Sequence, residues 1–178
     1  AWSLRWYQNM IGNCSAEVVS STVPCSHKWM TGTVNSFFIG ITATFIATTL
    51  GTIAALGLSR PHMPYKGLIM AILISPMIVP LIITAAGMFF FYARINLVYT
   101  FTGVILAHVA LATPFVVITV TATLVGFDMN MVKASQSLGA RPVRTFFKVI
   151  MPLILPGIIS GALFAFITSF DEVVIVMF

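Results

Sequence analysis

The stretch FTGVILAHVALATPFVVITVTATLV, residues 101–125, holds no Asp, Glu, Lys or Arg, and its reading decides the fold class. It lies within a run of 33 residues, between Arg94 and Asp128, that lacks all four types. A helix needs about 20 mainly apolar residues to cross the hydrocarbon core of a bilayer. One Asp, Lys or Arg at its centre costs about 2.5–3.5 kcal/mol of insertion free energy, so an empty interval is the cheap one to insert. Three more such runs flank it: 31 residues between Lys28 and Arg60, 27 between Lys66 and Arg94, and 22 between Lys148 and Asp171. Each run predicts one spanning helix, near 34–58, 68–91, 101–125 and 152–170.

Composition agrees. Of 178 residues, 59% are hydrophobic and 7% charged, against roughly 25% charged in a soluble domain. The mean hydropathy is +1.05. These values exclude an ordinary soluble domain and a disordered chain. They argue against an outer-membrane barrel, whose strands alternate apolar and polar residues. The expected class is an all-α, polytopic helical membrane protein. The net charge of +5 follows from topology. Segments 59–67 and 126–148 carry Arg60, Lys66, Lys133, Arg141, Arg144 and Lys148, whereas the other side carries Arg5, Lys28 and Arg94. The basic excess places the 126–148 loop in the cytoplasm and residues 1–33 outside it. No basic soluble face is left for nucleic acid. The chain lacks an initiator Met and ends on apolar Val173 to Phe178, the expectation being a piece with a helix missing at each end.

Cys14 and Cys25 fall in the external segment, where a disulfide is permitted. Without His partners they predict neither a metal site nor redox chemistry. The first span is rich in Gly, Ala and Thr, and Gly157 and Gly161 form a GxxxG pair in the fourth, both signs of close helix approach in lipid. Pro76, Pro80, Pro114, Pro152 and Pro156 predict bends. His108, Asp171 and Glu172 lie in or near apolar spans and are candidate pathway residues because hydrocarbon penalises them. The alternatives are a helix–helix hydrogen bond for His108 and an interfacial helix end for the acids. Entry of the fourth helix at Lys148 puts Asp171 about 33 Å further on, at the far interface, whereas entry at Pro156 leaves it about 22 Å deep.

The cytoplasmic loop carries the most information. Asp128 can cap a short helix. Met131, Ala134, Ser135 and Leu138 recur at helical spacing. Gly139 can take the left-handed conformation that ends a helix. Arg141-Pro142 then opens a second, basic segment. A short helix with an apolar face outside the membrane wants a partner groove.

This loop resembles the EAA motif of ABC importer permeases, EAA-x3-G-x9-I-x-LP. Here Lys133-Ala134-Ser135 is followed by three residues, Gly139, nine residues, Val149, one residue and Met151-Pro152. Lys133 departs from the usual Glu. Leu4-Arg5-Trp6-Tyr7, Asn35-Ser36, Ser75-Pro76, Pro114-Phe115-Val116-Val117, Gly126-Phe127-Asp128 and Ser169-Phe170-Asp171-Glu172-Val173-Val174 are similar to segments of the polyamine (spermidine/putrescine) group.

The resemblance implies a six-helix core of which this chain holds about four helices. Residues 34–178 would form a partial type-1 permease domain with coupling loop 126–151, in a bacterial inner membrane. It implies cytoplasmic ATP-binding subunits docked on Met131, Lys133, Ala134, Ser135, Leu138 and Gly139, a second permease subunit, and an extracytoplasmic solute-binding protein. The expected role is transport rather than catalysis, with no cofactor and no metal. No GxxxxGK[ST] loop occurs, so ATP hydrolysis is expected on a separate subunit. A polyamine is the expected solute; opines, phosphonates and iron chelates use similar permeases. A secondary transporter or channel suits the prolines and the acid pair but leaves the loop pattern unexplained. An intramembrane enzyme on His108 and Asp171 has no motif behind it.

Overall fold

A charge-free sequence in lipid must close every backbone hydrogen bond within itself, and helices do so. The computed structural model describes residues 28–60, 63–126, 128 and 130–177, and every regular element among them is helical. Leu4–Tyr7, Cys14 and Cys25 lie outside the described residues. The elements are α1 (Lys28–Leu58), α2 (Lys66–Ile78), α3 (Leu81–Arg94), α4 (Phe101–Val125), α5 (Asn130–Ser137), α6 (Pro142–Thr145), a π-helical turn (Phe146–Ile150), α7 (Met151–Asp171) and α8 (Val174–Met177).

The chain divides into two units, residues 1–39 and 40–178. In the first, the described residues are the opening turns of α1, where the Thr33 hydroxyl donates to the Trp29 carbonyl at 2.9 Å.

In the second unit α4 is central. Ala43, Ala47 and Ala55 of α1 are fully buried in a cluster with Val109, Ala112, Val116 and Val120 of α4 and Ala165 of α7. Lipid tails are as apolar as Leu, so close packing rather than loss of water joins these helices. Small residues set the approach. A Cβ on Gly51 would stand 2.7 Å from Val116 Cβ. The predicted GxxxG pair does the same on α7: a Cβ on Gly161 would lie 3.0 Å from Val116 Cα, and one on Gly157 would collide with the Thr123 hydroxyl. The Thr123 hydroxyl donates within its own helix to the Thr119 carbonyl at 2.9 Å, so it is itself satisfied at the contact.

Among the described residues three helices are long and apolar enough to cross a membrane: Trp29–Leu58, Phe101–Val125 and the run Pro142–Met177. The second predicted span, 68–91, needs correction. It is not one kinked helix but two, α2 and α3, bent by 103°, and it supplies a fourth crossing only when the pair is taken together. Pro80 is the cause. It lacks an N–H, and its ring pushes the preceding residue out of the α region. Val79 is accordingly extended, at φ −75° and ψ 135°. Pro76, Pro114 and Pro156 stay inside continuous helices. Pro152 follows the π-helical turn, where the Met151 N–H reaches back to the Phe146 carbonyl. The wider turn sits where proline denies the helix an ordinary hydrogen bond.

Candidate functional site

Two regions hold the candidate residues. The first is the elbow 126–150. Asp128 opens α5 as expected: its Oδ1 accepts the Asn130 N–H at 2.9 Å, and its carbonyl accepts the Met131 N–H at 3.1 Å. Gly139 ends α5 at φ +78°. The Ala140 N–H bonds to the Ser135 carbonyl and the Gly139 N–H to the Gln136 carbonyl, the paired pattern of a Schellman motif. Pro142 then starts α6 at its first turn, where its missing N–H is harmless.

This geometry divides the candidate residues. Met131, Lys133, Ala134, Leu138 and Gly139 are exposed; Leu138 is 88% exposed. Ser135 is half-buried and turned towards the long helix, where its Oγ lies 2.9 Å from Thr145 Oγ1. Ser135 also donates to the Val132 carbonyl at 2.9 Å. A hydroxyl carries one proton, so the Thr145 hydroxyl is the donor to Ser135. Thr145 is buried and was no candidate; its signal was a lone hydroxyl in a basic, aromatic segment.

The second region is the far end of α4 and α7. His108 is 3% exposed, and its Nδ1 lies 2.7 Å from Ser169 Oγ of α7. This is the helix–helix hydrogen bond weighed from the sequence. Its Nε2 is buried without a partner among the described residues. Helix α7 runs through Pro156 and stops at Asp171. Counted along the helix from Lys148, Asp171 lies about 33 Å further on. Asp171 is exposed. Glu172 is extended, at φ −78° and ψ 109°, and its carboxylate accepts the Ile175 N–H at 3.1 Å. The apolar tail therefore turns back instead of continuing the helix. Ile175 packs on Ala85, Ala107 and Leu111. Beside it, a small open cleft of about 60 Å³ is lined by Ala85, Met88, Tyr92, Tyr99, Ala107 and Ile175. Among the described residues no three His, Cys, Asp or Glu come together to hold a metal. Ser169 holds His108 in place through their hydrogen bond, and nothing in its local sequence signals that pairing.

Comparison with known proteins shows the family. The profile of the family described as "Binding-protein-dependent transport system inner membrane component" matches residues 47–178. The spermidine/putrescine transport system permease protein PotC of Haemophilus influenzae is 29% identical over 177 residues, 99% of this chain and 64% of that protein. The putrescine transport system permease protein PotI of Escherichia coli is 29% identical over 185 residues, 99% of this chain and 61% of that one. The trehalose transport system permease protein SugB of Mycobacterium tuberculosis is 31% identical over 144 residues, 81% and 53% respectively. The chain thus spans less than two thirds of the length of these relatives.

Proposed function

The chain belongs to the family of binding-protein-dependent transport system inner membrane components, and from that premise we propose that it is a permease subunit of an ATP-driven importer. Together with a second permease subunit it forms the pathway for a polyamine or a related small cationic solute. An external binding protein delivers the solute, and cytoplasmic ATP-binding subunits hydrolyse ATP. The permease itself catalyses nothing.

The observation that carries this reading is the elbow. Helix α5 presents Met131, Ala134 and Leu138, all exposed, on one side, and Gly139 fixes its angle to the long helix. Small, apolar and projecting, that surface suits a groove on an ATPase. The positive loop charge supports a cytoplasmic position for it. Polyamines are favoured as solutes by the PotC and PotI relatives and by the carboxylates of Asp171 and Glu172 at the helix break. The SugB relative favours a second reading, in which the solute is uncharged and the acids are interfacial.

The test of docking is Ala134→Trp. The indole overfills a groove on the ATPase without touching the membrane bundle. ATPase co-purification should fall about tenfold with insertion unchanged. Wild-type co-purification would remove α5 from the interface. Lys133 puts an ammonium where a carboxylate is usual, so the cognate ATPase should face it with an acidic or neutral group, and Lys133→Glu should weaken association. Stronger association would show that the charge assignment is wrong.

A further inference from the structure

Helix α5 has eight residues and none of them is buried. A helix of that length is marginal alone, so its direction comes from what ties it to the long helix. The Schellman turn at Gly139 is one tie, and it holds the end of the helix through backbone hydrogen bonds alone. The second tie is the hydroxyl chain from Thr145 to Ser135 to the Val132 carbonyl. Thr145 is the one buried residue of α6, with Val143, Arg144 and Phe147 exposed around it. An apolar side chain would fill that place equally well. A hydroxyl there adds direction, because hydrogen bonds weaken steeply off axis.

The bond also has a telling position. Thr145 is the last residue of α6, and the π-helical turn begins at Phe146. Such turns recur at functional sites. Beyond it, α7 lies closely on α4 through Gly157 and Gly161 and is tied to it by the His108–Ser169 hydrogen bond. Force applied to α5 therefore enters the long helix on the near side of its widened turn, and the segment beyond can move as one piece.

We infer that the Thr145–Ser135 hydrogen bond is the strut that transmits displacement of the docked helix α5 to the transmembrane helix α7. Thr145 is a positioning residue: it touches neither solute nor ATPase, and it acts by holding α5 at a fixed angle. The inference rests on the docking reading above, which its test can separate.

The clean variant is Thr145→Val, which keeps the buried shape and removes the hydroxyl. Ser135 keeps its own acceptor in the Val132 carbonyl, so no donor is orphaned. The full-length permease is reconstituted in proteoliposomes with its cognate ATPase and binding protein, and spermidine is the probe. Thr145→Val should leave ATPase co-purification unchanged and cut spermidine-stimulated hydrolysis about fivefold. Thr145→Ser should restore it. Adding Ser135→Ala to Thr145→Val should cost nothing further, because the bond is already gone. Oxidising the pair Ser135→Cys with Thr145→Cys to a disulfide should preserve stimulation, since a strut survives being locked. Unchanged stimulation in Thr145→Val, failure of Thr145→Ser to rescue, a further loss in the double variant, or loss of stimulation on oxidation would each overturn the strut while leaving docking intact. Failure of the wild-type permease to retain the ATPase would overturn both.

Discussion

Replacement of Gly139 by Asn, Ala and Val separates backbone strain from side-chain size. At φ +78° a Cβ on Gly139 would meet no heavy atom within 4 Å. Sterically the position is open, so bulk alone costs nothing. The left-handed conformation costs an ordinary L-residue roughly 1–2 kcal/mol. Asn pays less than this, because its short amide bonds locally, and a β-branched residue is a genuine outlier there. A loss of 1.4 kcal/mol is a factor of ten, so Gly139→Ala should displace the elbow equilibrium by about 5- to 30-fold. Gly139→Val should do so by more, and Gly139→Asn by only a few-fold. Solute-stimulated ATP hydrolysis in proteoliposomes, with permease insertion as control, reads the displacement. The predicted order of activity is Gly, Asn, Ala, Val, although Asn is larger than Ala. An order following size, with Ala above Asn, would mean that Gly139 is required for close contact with a partner, and the strain account would be wrong.

Topology can be read by labelling: a cysteine at Ser137 should react only from the cytoplasm and one at Ser21 only from outside, and reversed labelling would overturn the assignment of the elbow. Asp171→Asn should weaken spermidine uptake by about 10- to 150-fold, since a hydrogen bond to a charged group is worth about 1.5–3 kcal/mol; normal uptake would make Asp171 a mere helix end. Glu172→Gln keeps an acceptor for the Ile175 N–H and should retain the fold of the α8 turn, whereas Glu172→Ala should loosen it, as measured by hydrogen exchange at Ile175; equal protection in the two would deny the cap. Gly161→Val should destabilise the α4–α7 contact by at least about 1–3 kcal/mol and lower the thermal midpoint of the detergent-solubilised protein; an unchanged midpoint would contradict the close approach.

The spans were legible because charge exclusion is a strong and local signal. Residues 101–125 were read from composition alone and form α4 with the same limits. Predicted span 152–170 corresponds to α7, Met151–Asp171. The break at Val79-Pro80 was visible as proline but not as a 103° bend, because the angle depends on what α2 and α3 pack against, and Pro76, Pro114 and Pro156 leave their helices continuous. At the elbow, Asp128 and Gly139 could be read directly, since cap chemistry is encoded within a few residues. The direction of Ser135 could not. It shares the helical stripe of Met131 and Ala134, and only the partner Thr145, ten residues on, decides that it turns inward. His108 follows the same rule: its hydrogen-bond partner, Ser169, is 61 residues away. Long-range hydroxyl pairs of this kind leave no periodicity to find.

The most direct test of the account is uptake of labelled spermidine by proteoliposomes holding the full-length permease with its cognate partners. Uptake should require external binding protein and ATP on the side of the ATPase, and should cease when the ATPase is omitted. Uptake driven by a proton or sodium gradient alone, without ATPase, would contradict it and make the protein a secondary transporter.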